Sequence, residues 1–258
     1  MKVYARTKRI HDENCLPVPY NVNIANAIEG FHDMGFEIHC YEKLSEAYNL
    51  YQQGDIVLDG ILQVNHCLNK FGIVSDNTDY PDVLQKYLGR KIWTDKIDHI
   101  NNHPELFPVF IKPVVDKKFN GTVVHSIKDL IGCGSCYENS DILCSEIVDF
   151  IFECRGFIYY DEMIDLRPYK GNWRNMNLID TKIIDNAVKD FSTWEGRPNA
   201  CSLDFGVTKD GRTLLIEQNS AYSLGCYGLY SNYYAKMISA YISQISGTVD
   251  ECDFRIYR

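Results

Sequence analysis

Long apolar runs are missing from this sequence. No stretch approaches 18 consecutive apolar residues, so no membrane-spanning helix and no membrane partner are expected. The first residues, MKVYARTKRIHDEN, lack the apolar segment that follows the charged start of a secretory signal. Both absences lead to the expectation of a cytoplasmic protein. A basic excess is missing too: 26 Lys and Arg stand against 35 Asp and Glu, a formal net charge of −9. That argues against a generally basic nucleic-acid-binding surface. No GxGxxG occurs, so the signature of a dinucleotide site is absent.

What is there begins with an ordinary globular composition, 45% hydrophobic and 24% charged over 258 residues, long enough for a substantial core. Ten cysteines are scattered without a framework pattern, and reduced thiols are expected. Cys133 and Cys136 form a lone CxxC with no second pair nearby, which reads as a plain loop ahead of a metal or redox site.

Along residues 1–85, strand-like MKVYAR, FEIHCYE and DIVLDG alternate with helix-like VNIANAIEGFHDMG and LSEAYNLYQQ. That alternation predicts a small α/β unit with a parallel sheet. Residues 86–103 read as helical, followed by the apolar strand VFIKPVV, the loop DKKFNG and the strand TVVHSI. From about residue 144 the chain is strand-rich through IFECRGFIYY. DLRPYKGNW reads equally as an exposed loop, and DTKIIDNAVKDFSTW and the amphipathic NYYAKMISAYISQI read as helices. We expect three parts: 1–85, 86–143 and 144–258.

The stretch DFGVTKDGRTLLIEQN carries the sharpest signal. Asp210-Gly211 is a favoured two-residue hairpin turn. With those two residues as the loop, Asp204 falls opposite Glu217, and Asn219 shares the face of Glu217. The other face collects Leu203, Phe205 and Val207 against Leu214 and Ile216. Opposed residues have Cβ atoms about 4.5–5.5 Å apart. Two carboxylates at that spacing repel by about 3 kcal/mol at an effective dielectric near 20. A divalent cation would remove this cost, and the two acids and the amide are hard oxygen ligands of the kind Mg²⁺ accepts. A solvated face with two aligned acids is the plain alternative.

Phosphates that complete a Mg²⁺ shell call for cations. Lys112 interrupts an apolar strand, and Lys117, Lys118 and Gly121 lie in the adjoining loop. Glu146 and Glu153 flank strand-like sequence seven residues apart. Arg155, two beyond Glu153, can bind phosphate or carboxylate bidentately.

Together these residues resemble the ATP-grasp superfamily over residues 86–230. The resemblance implies an α/β (α+β) fold, an ATP-grasp fold preceded by a small N-terminal parallel α/β domain. It implies that Lys112 in FIKP and Lys96 in WTDKIDHI contact ATP phosphates, and that Lys118 lies in the phosphate-covering loop. Glu146 and Val148 fall at the adenine hinge and Glu153 at the ribose. Asp204, Glu217 and Asn219 match the metal set, the most specific part of the likeness. The implied activity is an ATP-dependent ligase that converts a carboxylate to an acyl phosphate and joins it to an amine or other nucleophile. Lys112, Arg155 and Arg167 are candidates for catalysis, with Lys170 beside them. ATP and Mg²⁺ are the implied cofactors, an unidentified carboxylate and amine the substrates, and a homo-oligomer is compatible with the likeness. The rival from another class is an ATP/Mg-binding regulatory or partner-binding module without ligase turnover. DKKFNG has fewer glycines than the usual phosphate-covering loop, and SAYSLGCYG matches no substrate loop of the family.

Overall fold

The computed structural model of the chain describes residues 1–9, 17–75, 78–114, 119–134 and 138–254. The chain divides into two compact units. The first comprises residues 1–87, 151–207 and 211–258, and the second 88–150 and 208–210.

The first unit opens with β1 (Val3–Arg9), β2 (Val18–Pro19), α1 (Val22–Asp33), β3 (Ile38–Tyr41), α2 (Leu44–Leu50), β4 (Ile56–Leu58) and α3 (Ile61–Asn69). β1 pairs parallel with β3 and β4 and antiparallel with β2. This is the parallel α/β arrangement that the alternation predicts. Burial is concentrated in Val3, Tyr4 and Ala5 of β1 and in the whole of β4, the apolar stretches that parallel strands carry under helices, while β3 buries only Tyr41. α1 starts where Asn21 accepts a hydrogen bond from the Ile24 N–H. Gly30 of α1 lies so close to residue 231 that a Cβ would stand 2.1 Å from the Ser231 carbonyl oxygen.

The second unit holds β5 (Ile92–Lys96), α4 (Ile97–Asn102), β6 (Val109–Pro113), β7 (Thr122–Val124) and β8 (Asp141–Ser145). They form a sheet in the order β5-β8-β6-β7, with antiparallel pairings. The helix expected over 86–103 is corrected here. Ile92–Lys96 is a strand, and only Ile97–Asn102 is α-helical. Ile92, Trp93 and Thr94 are β-branched or aromatic, and pairing with β8 overrides the helical pattern. Ile97, Ile100, Val109, Ile111, Val124, Ile142 and Cys144 make this unit's core.

The chain then returns to the first unit with β9 (Phe150–Tyr159), β10 (Glu162–Gly171), α5 (Thr181–Ser192), β11 (Ala200–Thr208), β12 (Thr213–Ser220) and α6 (Ser231–Ser246). Their sheet runs β10-β9-β11-β12. Most of DLRPYKGNW is strand β10, where an exposed loop was an equal expectation. β10 lies at the sheet edge, and an edge strand tolerates polar residues and Pro168. α6 is buried nearly all round rather than amphipathic, because it packs within the unit's main core beside Val3, Phe31, Tyr41 and Phe157.

The hairpin differs from its expectation in two compensating ways. Val207 pairs with Thr213, so the connection is longer than two residues. A bulge between Asp204 and Phe205 then restores the register. Asp204 still faces Glu217. The extra residue on the β12 side is Ile216, which is only half-buried, and Leu215 takes the fully buried place expected for it. Gly211 sits in the turn at φ +82°, a conformation glycine adopts without strain.

Candidate functional site

The sheet β10-β9-β11-β12 carries seven of the sequence-derived candidates: Glu153, Arg155, Arg167, Lys170, Asp204, Glu217 and Asn219. Asp204 on β11 faces Glu217 on β12. Asn219 donates through Nδ2 to Glu217 Oε1 at 3.1 Å, so the amide and the second acid lie side by side.

Asp204 has a stronger partner. Arg155, from the neighbouring strand β9, donates through Nε to Asp204 Oδ1 at 2.8 Å and through Nη2 to Oδ2 at 2.7 Å. Both side chains are buried, 9% and 2% exposed. This is a bidentate guanidinium–carboxylate fork, the strongest geometry such a pair has. Burial pushes the Asp204 carboxyl up, the bonds and charge of Arg155 oppose that rise, and the charge of Glu217 adds to it. Burial works against the Arg155 charge, but the bonds to Asp204 and its charge outweigh burial and hold the guanidinium above its ordinary value. Two tyrosines flank the cation. Arg155 Cζ lies 5.8 Å from the Tyr169 ring centroid and 5.1 Å from that of Tyr227, and the two rings stack at 5.2 Å. Tyr227 sits at φ +42°, a left-handed conformation that a tyrosine rarely adopts. Arg155 Nη1 also points at the Gly225 carbonyl, at 3.5 Å.

Along the same sheet, Glu153 accepts from Lys170 Nζ at 2.5 Å, and the two residues are cross-strand partners. Arg167 stands opposite Arg155 in the ladder and is held by Asp165, with Nε to Oδ2 at 2.8 Å. The cation of Arg167 thus already has an acid, as do those of Arg155 and Lys170.

In the second unit, Lys96 and Lys112 lie on the two strands that flank β8, opposite Asp141 and Leu143. Lys96 pairs with Asp141 at 2.8 Å, both side chains half or more exposed. Lys112 is half-buried. Glu146 accepts from the Lys91 N–H at 2.8 Å, while its own N–H donates to the Lys91 carbonyl. Val148 is half-buried, in the segment between β8 and β9. Lys117 and Lys118 lie outside the described residues, and so does Cys136. Cys133 is buried, with Sγ 3.3 Å from the Asp129 carbonyl oxygen. The described cysteines are free thiols. Burial pushes those of Cys67 and Cys252 up to about 11, which keeps them protonated and unreactive.

Two acids and an amide are the donor chemistry of a hard cation, and Glu217 and Asn219 fit it by their mutual contact. Asp204 fits by chemistry and position, with both oxygens engaged by Arg155. Among the described residues there is no cluster of three or more His, Cys, Asp and Glu suited to a metal, so this mixed acid–amide set is the candidate.

A separate pocket lies within the first unit, lined by Asn21, Asn23, Asp59, Tyr222, Ser223 and Tyr234 among others. Asp59 and Gly60 follow the carboxyl end of β4, a usual place for ligands of α/β units. Asp59 is satisfied by Arg6 at 3.0 Å, Tyr41 at 2.9 Å and the Gly60 N–H at 2.7 Å. The wall from Tyr222 to Leu224 belongs to SAYSLGCYG, the loop that sequence reading left unassigned. Sequence reading also missed the stacking of Tyr169 and Tyr227 on Arg155. The tyrosine-rich YGLYSNYY was its only trace, since the stacked rings of Tyr169 and Tyr227 come from distant parts of the chain.

No helix among the described residues is long and apolar enough to cross a membrane. Comparison with curated protein sequences finds no significant match. Among solved structures, N5-carboxyaminoimidazole synthetase from Staphylococcus aureus is similar at a TM-score of 0.55 and 10% identity, over 96% of this chain and 77% of that one. D-alanine–D-alanine ligase from Bacillus anthracis, complexed with ATP, is similar at 0.54 and 13%, over 96% of this chain and 98% of that one. At these identities the likeness shows a shared fold. A family model described as ATP-grasp domain, R2K clade family 2, matches residues 87–237, more than half of the sequence. The mixed α/β architecture and this match agree, and the chain belongs to the ATP-grasp family, in its R2K clade.

Proposed function

We propose that this protein is an ATP-dependent ligase that activates a carboxylate as an acyl phosphate and joins it to an amine or other nucleophile. The observation that carries the reading is the patch of Asp204, Glu217 and Asn219, in register on adjacent strands of an ATP-grasp chain. In this reading Glu217, Asn219 and Asp204 hold Mg²⁺, which when bound neutralises the phosphate charge of ATP. Lys96 and Lys112, with Lys118, take the phosphates. Glu146 and Val148 serve the adenine and Glu153 the ribose, for which Glu153 must yield part of its contact with the exposed Lys170. Lys112, Arg155 and Arg167 stabilise charge on the transferring phosphoryl group or orient the substrate carboxylate. Catalysis rests on positioning and charge neutralisation, with no covalent enzyme intermediate. The pocket of Asn21, Asn23, Tyr222 and Tyr234 suits a small polar acceptor by the amides and hydroxyls of these four side chains, each of which already holds a contact inside the protein, as does the pocket's one acid.

Thermal shift with ATP, with and without Mg²⁺, on wild type and Glu217→Gln tests the site. A ligand at 100 times its Kd adds about 2.7 kcal/mol of stability. We expect a Mg²⁺-dependent rise in wild type that shrinks in Glu217→Gln. Phosphate release across a panel of carboxylates and amines then tests turnover. No shift at millimolar ATP sinks the nucleotide reading. Binding without phosphate release on any pair favours a module without ligase turnover.

A further inference from the structure

The Arg155–Asp204 fork poses a problem that the proposed metal site must solve. Arg155 donates to each of the two Asp204 oxygens, at 2.7 and 2.8 Å, which leaves a cation only the remaining lone pairs of a carboxylate already fixed by the fork. A divalent cation on Asp204 would share one carboxylate with a guanidinium, three positive charges in a place that water scarcely reaches. Low exposure removes the screening that would let such charges coexist. Mg²⁺ also demands near-ideal octahedral geometry, which a carboxylate already locked in a planar fork resists. Glu217 and Asn219 remain beside it as the other donors.

We propose that Arg155 and the divalent cation compete for Asp204, so that metal loading releases Arg155 to an anionic group of the bound ligand. The inference rests on the metal reading given above. The released guanidinium needs a new anion, because a buried unpaired cation is costly. The acids near it on the sheet are engaged: Glu153 holds Lys170, Asp165 holds Arg167, and Glu217 belongs to the metal set. The new partner must therefore come with the ligand, as a phosphate or a carboxylate. Tyr169 and Tyr227 give the guanidinium a surface on which to turn without leaving its aromatic contacts. Metal and anionic ligand then bind cooperatively, each removing the other's obstacle.

The wild-type protein carries the test. In ¹⁵N spectra, the Arg155 Nε–H is the arginine signal absent from Arg155→Lys. Without metal it is expected to exchange slowly with solvent, because Asp204 holds it. ADP alone is expected to leave it protected. ADP with Mg²⁺ is expected to move the signal and speed its exchange. Mn²⁺ affinity, read by electron paramagnetic resonance, is expected to tighten severalfold in Arg155→Lys, whose ammonium cannot form the fork. Three results are decisive. Loss of protection with Mg²⁺ and ADP, together with tighter Mn²⁺ binding in Arg155→Lys, supports the competition. Unchanged protection while thermal shift shows Mg²⁺-dependent ADP binding overturns it and leaves the nucleotide site standing. No Mg²⁺-dependent ADP binding overturns both the inference and the reading beneath it.

Discussion

Two ion pairs of this molecule present the same chemistry in opposite settings. In the first unit Arg155 and Asp204 are 9% and 2% exposed. In the second, Lys96 and Asp141 are 50% and 59% exposed at a similar distance of 2.8 Å. Water screens the second pair and can replace either partner, so Lys96 can leave Asp141 for a phosphate at little cost. Nothing but another charge can replace a partner in the first, so Arg155 moves only when a ligand supplies one. The exposed lysine suits early capture of a nucleotide. The buried fork suits a step that waits until the ligand set is complete.

Breaking the buried pair gives the largest expected effect. Arg155→Met or Asp204→Leu leaves one uncompensated charge inside the first unit and should cost about 3–5 kcal/mol, read from urea unfolding midpoints. The double variant Arg155→Met/Asp204→Leu should lose much less than the sum, since neither charge is then left alone. Additive losses would mean that the two residues act separately and would erase the contrast with Lys96. Gly30→Ala is next. Its Cβ would meet backbone at Ser231, which cannot swing aside, and overpacking of this kind costs about 1–3 kcal/mol. It marks what a purely steric fault in the first unit costs, with no charge changed.

The same contrast separates what the sequence revealed from what it concealed. The Asp204–Glu217 pairing was legible because strand alternation and a turn signal are local. The two-residue turn itself was wrong. It survived because the longer connection and the bulge at Ile216 cancel before the acids. A one-residue slip without that bulge would have put Asp204 opposite another side chain. The Arg155–Asp204 fork was not legible, because 49 residues separate the partners and neither strand pattern names the other. Glu153 and Arg155 stand two residues apart on β9, yet the structure gives each a different partner, Lys170 and Asp204. Lys96 was found but set on a helix. It ends a strand instead, since pairing with β8 outweighs the local pattern of residues 92–96.

The smallest effects belong to the exposed side of the comparison. Lys96→Ala should change stability by only about 0–1 kcal/mol, and nucleotide affinity by more, which thermal shift with and without ATP separates. Next to it, Asp95 offers a pH test. Burial raises the Asp95 carboxyl, but bonds from the Lys96 N–H, His99 and Trp93 outweigh that and hold it below the ordinary carboxylate value. A carboxyl lowered on folding stabilises the protein above its unfolded value, near about 3.9, and that contribution disappears as pH falls through the lower folded one. Asp95→Asn should therefore melt below wild type at neutral pH, and the two melting points should converge as the solution is acidified past the ordinary carboxylate range. A gap that persists unchanged below that range would assign the role of Asp95 to shape rather than to charge. It would also remove the charge support from the strand end that presents Lys96.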